Sequence, residues 1–101
     1  MKKEKLSSWD SVDHLKTETD MAAYLEAALE ENDPALLAAA LGDVARAKGM
    51  TEIAKKAGLG RESLYKSLSA QGNPELSTVL KVIHALGLKL QVRSGKTRKA
   101  A

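Results

Sequence analysis

MTEIAKKAGLGRESLYKSLS, residues 50–69, reads as two short helices joined by a tight turn. Thr51 stands where it can cap the first helix, accepting hydrogen bonds from that helix's free amides. Ile53, Ala54 and Ala57 give this helix one apolar face. Gly58 supplies the left-handed turn that a residue with a Cβ would resist, and Leu59 anchors the turn in the core. The second helix, from about Arg61 to Leu68, places Leu64 and Leu68 one turn apart on its buried side. Arg61, Glu62, Ser63, Tyr65 and Lys66 are left facing outward.

A close crossing of the two helices needs a small residue such as Ala54 beneath it, and the sharp turn needs Gly58. This is the logic of a helix-turn-helix. In that arrangement the second helix enters a DNA major groove with its N-terminal residues at base edges. The same pattern also fits an ordinary αα-hairpin in a helical bundle. The basic outward residues and the flanking sequence favour the DNA-reading arrangement.

The chain has 101 residues, enough for one domain with a single modest core. It has no Phe, and its aromatics are Trp9, Tyr24 and Tyr65. Leu, Ala, Val and Ile must therefore build the core, which favours helices. The absence of cysteine excludes a disulfide framework, a thiolate metal site and a cysteine nucleophile, and is compatible with a cytosol. No apolar run approaches the length of a membrane span. The basic start MKKEKLSSW is not followed by the apolar stretch of a secretory signal.

Charge is divided unevenly. Residues 1–43 carry 4 Lys/Arg against 10 Asp/Glu, whereas residues 44–101 carry 12 against 3. A basic half that holds the candidate reading helix is what attraction to phosphates requires. An acidic half suits a basic protein partner, or solubility alone.

Working outward toward the N-terminus, a helix is expected from Asp33–Pro34 to about Lys48. Asp33 caps it, and Pro34 fits its first position, where the missing N–H is not needed. Leu36, Leu37, Ala40, Leu41, Val44 and Ala47 face inward, and Gly49 ends it. Asn32 stops the helix before it. That helix follows Thr17 and Asp20, which have capping-box spacing, and runs to about Glu31. Met21, Tyr24, Leu25, Ala28 and Leu29 form its apolar stripe, with Glu26, Glu30 and Glu31 off it. Residues 1–8 look frayed and polar; Trp9, Val12 and Leu15 are scattered anchors, Trp9 for the domain surface or a partner.

Toward the C-terminus, AQGNPEL (70–76) is a loop marked by Gly72 and Asn73-Pro74. Ser77 is expected to cap a helix from Thr78 to Leu86, with Val79, Leu80, Val82, Ile83 and Leu86 apolar and Gly87 as its stop. Leu88-Lys89-Leu90-Gln91-Val92-Arg93 alternates apolar and polar, the period of a half-buried strand. A lone strand needs a partner, either an extended N-terminal segment or its own copy in a second subunit. The tail SGKTRKAA is basic and is expected to be disordered. The chain thus divides into an acidic N-terminal part (1–33), a core with its terminal strand (34–93) and a basic tail (94–101).

The helix pair followed by Asn73-Pro74 and a helix near Ser77-Thr78 resembles the lambda-repressor-like, or XRE, class. Over about residues 9–92 the chain is more specifically similar to the addiction-module antidote proteins often called HigA-like. The segments AAYLEAALEENDPALLAAALGDVARAKGMTEIAKKAGLGRESLYKSLS and GNPELSTVLKVIHALGLKL carry that resemblance. It implies a mainly all-α, lambda-repressor-like bundle of about five helices with a short C-terminal β-strand. It further implies a bacterial antitoxin that binds a RelE/ParE-type toxin and represses its own operon from the cytoplasm, at the nucleoid when on DNA. Gly60 departs from the usual Ser or Thr cap of the reading helix, and Ser67 from the usual branched apolar residue. Leu68 can carry that burial.

Roles follow from chemistry. Arg61 can donate bidentately to guanine, or pair locally with Glu62. Glu62 can accept from cytosine or orient Arg61, and Ser63 can touch a base edge. Lys66 suits a phosphate. Tyr65 can lay its ring on a sugar or thymine methyl, or pack as a half-buried core aromatic. Thr51, Gln71 and Asn73 lie at helix and loop edges where phosphates pass. One domain presents one reading helix, so a repressor is expected to be a homodimer on a palindrome, paired through the 88–92 strand or the last helix. Trp9, Tyr24, Glu26 and Glu30 are the candidates for the toxin surface, since an acidic helix can cover a basic RNA-binding face. The alternative is a stand-alone XRE-type repressor without a toxin. An enzyme is disfavoured: His14 and His84 make no metal-ligand spacing, no serine sits in a nucleophile elbow, and no glycine-rich phosphate loop is present. No cofactor or metal is expected.

Overall fold

The structure, a computed structural model, describes residues 15–95. Among these residues the architecture is all-helical: α1 (Glu18–Glu30), α2 (Pro34–Lys48), α3 (Met50–Ala57), α4 (Arg61–Ser67) and α5 (Leu76–Ala85). Each boundary has a local cause. Thr17 caps α1 through a capping box: its Oγ1 accepts from the Asp20 amide at 3.1 Å, and its own amide donates to Asp20 Oδ2 at 3.2 Å. Asn32, with φ of 54°, turns the chain out of α1. Asp33 Oδ1 then accepts from the Ala35 amide at 3.0 Å and caps α2, with Pro34 in its first turn. A cap of this kind contributes about 1 kcal/mol.

Two turns are built alike. After α3, Gly58 is left-handed (φ 71°), its amide donates to the Lys55 carbonyl at 3.2 Å, and the Leu59 amide reaches back to Ala54 at 2.9 Å. After α5, Gly87 (φ 82°) donates to His84 at 3.0 Å, and Leu88 to Ile83 at 3.1 Å. This is the Schellman pattern, in which a glycine without Cβ strain is followed by an apolar residue that plugs the helix end. Leu59 and Leu88 are those plugs, both packed against the core.

The core is one cluster. Leu15, Met21, Leu25 and Ala28 from the α1 region meet Leu41 and Val44 of α2, Ile53 of α3, Leu64 and Leu68 around α4, and Val82 and Leu86 of α5. α1 packs on α2, α2 on α3, and α3 on both α4 and α5. α2 is enclosed on more than one side, which is why Ala38 and Ala45 are buried beyond its expected stripe. Gly42 marks its closest approach: a Cβ there would overlap the Leu68 carbonyl oxygen.

Several expectations are corrected. The strand expected at Leu88–Val92 is absent; the described residues contain no strand. Alternation encodes a half-buried face but not a neighbouring strand, and among the described residues no strand lies beside this segment to complete a ladder. Leu88 instead closes α5, and Val92 is 94% exposed. Thr51 does not cap α3, which starts one residue earlier at Met50 with Gly49 (φ 120°) as its junction with α2. Nor does Ser77 cap α5, which starts at Leu76 after an extended Glu75 without a side-chain cap bond. Of the apolar residues read in this helix, Val82, Ile83 and Leu86 are buried and Leu80 is 45% exposed.

Candidate functional site

α4 is a short helix fixed from beneath and at both ends. Leu64 is 1% exposed and Leu68 fully buried, so the helix cannot roll without tearing both from the core. At its front the Gly58–Leu59 turn sets its angle to α3. At its back the Ser67 hydroxyl donates to the Ser63 carbonyl at 3.1 Å, and the Ser69 hydroxyl to the Lys66 carbonyl at 3.0 Å. The following loop presses Gly72 so closely under this end that a Cβ would overlap the Ser67 carbonyl. Gly60 occupies the N-cap in extended conformation without a side-chain cap bond, so the amides of the first turn are open.

The anchoring side being Leu64 and Leu68, all the residues expected outward are outward: Arg61, Glu62, Ser63, Tyr65 and Lys66 are exposed. Tyr65 is 37% exposed, so it is not a core aromatic. Arg61 does not pair with Glu62. Its guanidinium carbon lies 5.4 Å from the Tyr65 ring centroid, one helical turn along. Gln71 and Asn73 are exposed on the loop that leaves α4. Thr51 is exposed in the first turn of α3, where its amide has no intrahelical acceptor. On the same helix Lys55 is exposed, and Lys56 pairs with Glu52 at 3.3 Å on the surface.

The candidate partner-binding residues lie on α1, apart from α4 in the chain. Glu26 and Glu30 are exposed one turn apart. Tyr24 is half-buried: its hydroxyl donates to Asp43 Oδ2 at 2.6 Å and ties α1 to α2. Trp9 lies outside the described residues. Beside Glu26, the 87–93 segment runs past α1 and leaves an apolar groove of about 300 Å³ floored by Leu25, Leu29, Leu37 and Ile83, with Arg93 on its lining.

Asp43 is the residue that the sequence reading missed. It is 3% exposed and accepts from both Tyr24 and Arg46, the latter at 2.9 Å. A buried carboxylate needs such donors, because stripping it of water without them is costly. The signal in the sequence was an acid one residue from Val44 on a helix rich in Ala and Leu, with an arginine three residues on. The described residues contain no cluster of His, Cys, Asp or Glu that could hold a metal, and no helix long and apolar enough to cross a membrane.

Comparison with known proteins places this arrangement in a lineage. An uncharacterized protein of Haemophilus influenzae (strain ATCC 51907 / DSM 11121 / KW20 / Rd) is 45% identical over 93 residues, which span 92% of this chain and 96% of that protein. No solved structure matches the chain. The profile of the family described as "Probable addiction module antidote protein" matches residues 5–94, nearly the whole length. This chain therefore belongs to that family.

Proposed function

We propose that this protein is the antitoxin of a bacterial type II toxin–antitoxin module, with two working surfaces. α4 reads operator DNA, by which the protein represses its own operon. The acidic face of α1 binds and neutralises a RelE/ParE-type toxin. The reading does not involve catalysis, and it places the protein in the bacterial cytoplasm, at the nucleoid when on DNA.

One observation carries the DNA half of this reading. A helix locked by Leu64 and Leu68 presents five outward positions on the exposed side, Arg61, Glu62, Ser63, Tyr65 and Lys66. Their chemistry is divided as a groove reader needs it. Arg61 and Glu62 stand in the first turn, where a reading helix meets base edges. Lys66 stands in the last turn, and Thr51, Gln71 and Asn73 are exposed at helix and loop edges, the kind of position at which phosphates are met. The toxin half is supported by family membership and by the exposed Glu26 and Glu30, whose charge suits a basic RNA-binding partner.

A single α4 covers one half-site, so the operator-bound form is a homodimer. The test is footprinting of the full chain on the DNA upstream of its own gene. The expected result is protection of two inverted half-sites about one helical turn apart, with affinity falling steeply as salt rises. Equal binding to that DNA and to a shuffled sequence would remove the repressor role.

A further inference from the structure

The contact between Arg61 and Tyr65 has a consequence for how a groove would be read. The guanidinium carbon of Arg61 sits 5.4 Å from the centroid of the Tyr65 ring. The two residues are four apart on α4, so the helix itself holds them in register. Among the described residues Arg61 forms no ion pair, and the neighbouring Glu62 does not engage it. The ring is therefore what restrains this side chain.

Guanidinium chemistry makes that restraint useful. The cation meets an aromatic ring through its flat face, whereas its N–H donors leave through its edge in a planar fork. Stacking and bidentate hydrogen bonding therefore do not compete. An arginine laid on a ring keeps its fork free and has already lost part of the rotamer freedom that binding would otherwise remove. The backbone that carries Tyr65 is fixed, because α4 is anchored by the buried Leu64 next to it. Tyr65 is 37% exposed, so the ring stands at the surface with the guanidinium over it.

We infer that Tyr65 is a positioning residue for sequence recognition: its ring holds the Arg61 guanidinium so that the fork is aimed at a base edge before DNA arrives. This rests on the reading of α4 as the DNA-recognition helix, and it assigns Tyr65 an action through Arg61 rather than a contact of its own. The ring matters, and the hydroxyl does not.

The test is fluorescence anisotropy of the full chain on its own upstream DNA and on a shuffled duplex of equal length. The proteins are the parent chain, Tyr65→Ala, Tyr65→Phe, Arg61→Ala and the double variant Arg61→Ala/Tyr65→Ala. Tyr65→Ala is expected to weaken binding to the upstream DNA by roughly two- to fivefold, the worth of one exposed cation–π contact, and to leave shuffled DNA unaffected. Tyr65→Phe is expected to restore parent affinity, since it keeps the ring and loses only the hydroxyl. In the Arg61→Ala background, removing Tyr65 should cost nothing more. A Tyr65→Phe loss as large as that of Tyr65→Ala would overturn the proposal by giving the role to the hydroxyl. Equal losses from Tyr65→Ala with and without Arg61 would overturn it by making Tyr65 an independent contact. If Arg61→Ala itself leaves the preference for upstream DNA unchanged, the reading of α4 fails first, and that outcome is distinct from both others.

Discussion

Gly42→Ala is expected to destabilise the protein by about 2–3 kcal/mol, the cost of forcing atoms into a well-packed site. The sign is the informative part. Gly42 lies inside α2, and helix propensity alone makes Ala the better residue by about 1 kcal/mol. The packing says the reverse. A Cβ at this position would overlap the carbonyl oxygen of Leu68, and a backbone atom cannot rotate aside as a side-chain tip can. Leu68 is also fully buried at the end of α4, so relief requires moving α4 away from α2. Urea denaturation of the two proteins checks this. A lower midpoint with an unchanged slope is expected, and a raised midpoint would show that α2 and α4 do not meet at Gly42. The change should also weaken DNA binding below the unfolding transition, because α4 is the element displaced.

Arg61→Ala is expected to leave folding unchanged and to weaken binding to the upstream DNA by about 1–3 kcal/mol, with relaxed preference at one base pair. Arg61 is exposed, lies outside the core, and has its guanidinium over the ring of Tyr65. Its loss therefore falls on recognition. Lys66→Ala serves as the contrast. It should weaken specific and shuffled DNA alike and lower the slope of affinity against salt by about one phosphate. Anisotropy titrations at several salt concentrations separate the two patterns. If Arg61→Ala behaved like Lys66→Ala, Arg61 would be a phosphate contact, and the base-reading role would pass to Glu62 or Ser63.

What was legible in the sequence was local. Thr17 with Asp20, Asp33 with Pro34, and Gly58 with Leu59 each encode a boundary within a few residues, and each stands in the structure as read. The outward row on α4 was legible for the same reason: Leu64 and Leu68, four apart, fix which side is buried, and the remaining positions follow. What was not legible depends on distant partners. Nothing near Gly42 announces that the Leu68 carbonyl will sit against it. Tyr24 and Asp43 are 19 residues apart, and only the packing of α1 on α2 brings hydroxyl and carboxylate to 2.6 Å. The 88–92 segment misled because alternation reports one buried face but says nothing of a neighbour to share hydrogen bonds. Thr51 and Ser77 misled more narrowly. Residues with good cap chemistry stood one or two positions inside the true starts, which Gly49 and Glu75 occupy instead.

Tyr24 illustrates how the structure sharpens the candidate site. As part of an apolar stripe it read as both core and partner anchor. In place, its hydroxyl is committed to Asp43, a carboxylate that Arg46 also serves. α1 shares the core through Met21, Leu25 and Ala28, so its outer face is best probed by substitution at Glu26 and Glu30 rather than by deletion.

The most direct measurement is co-expression of the tagged full chain with the small protein encoded beside its gene, scored by growth and by co-purification in high salt. The account predicts that the neighbour alone arrests growth, that this chain restores it, and that the two elute as a stoichiometric complex. It further predicts that Glu26→Lys/Glu30→Lys loses both rescue and complex while binding upstream DNA as before. A neighbour that is harmless alone, or a toxic one that this chain neither binds nor neutralises, would contradict the antidote reading and leave a repressor without a toxin.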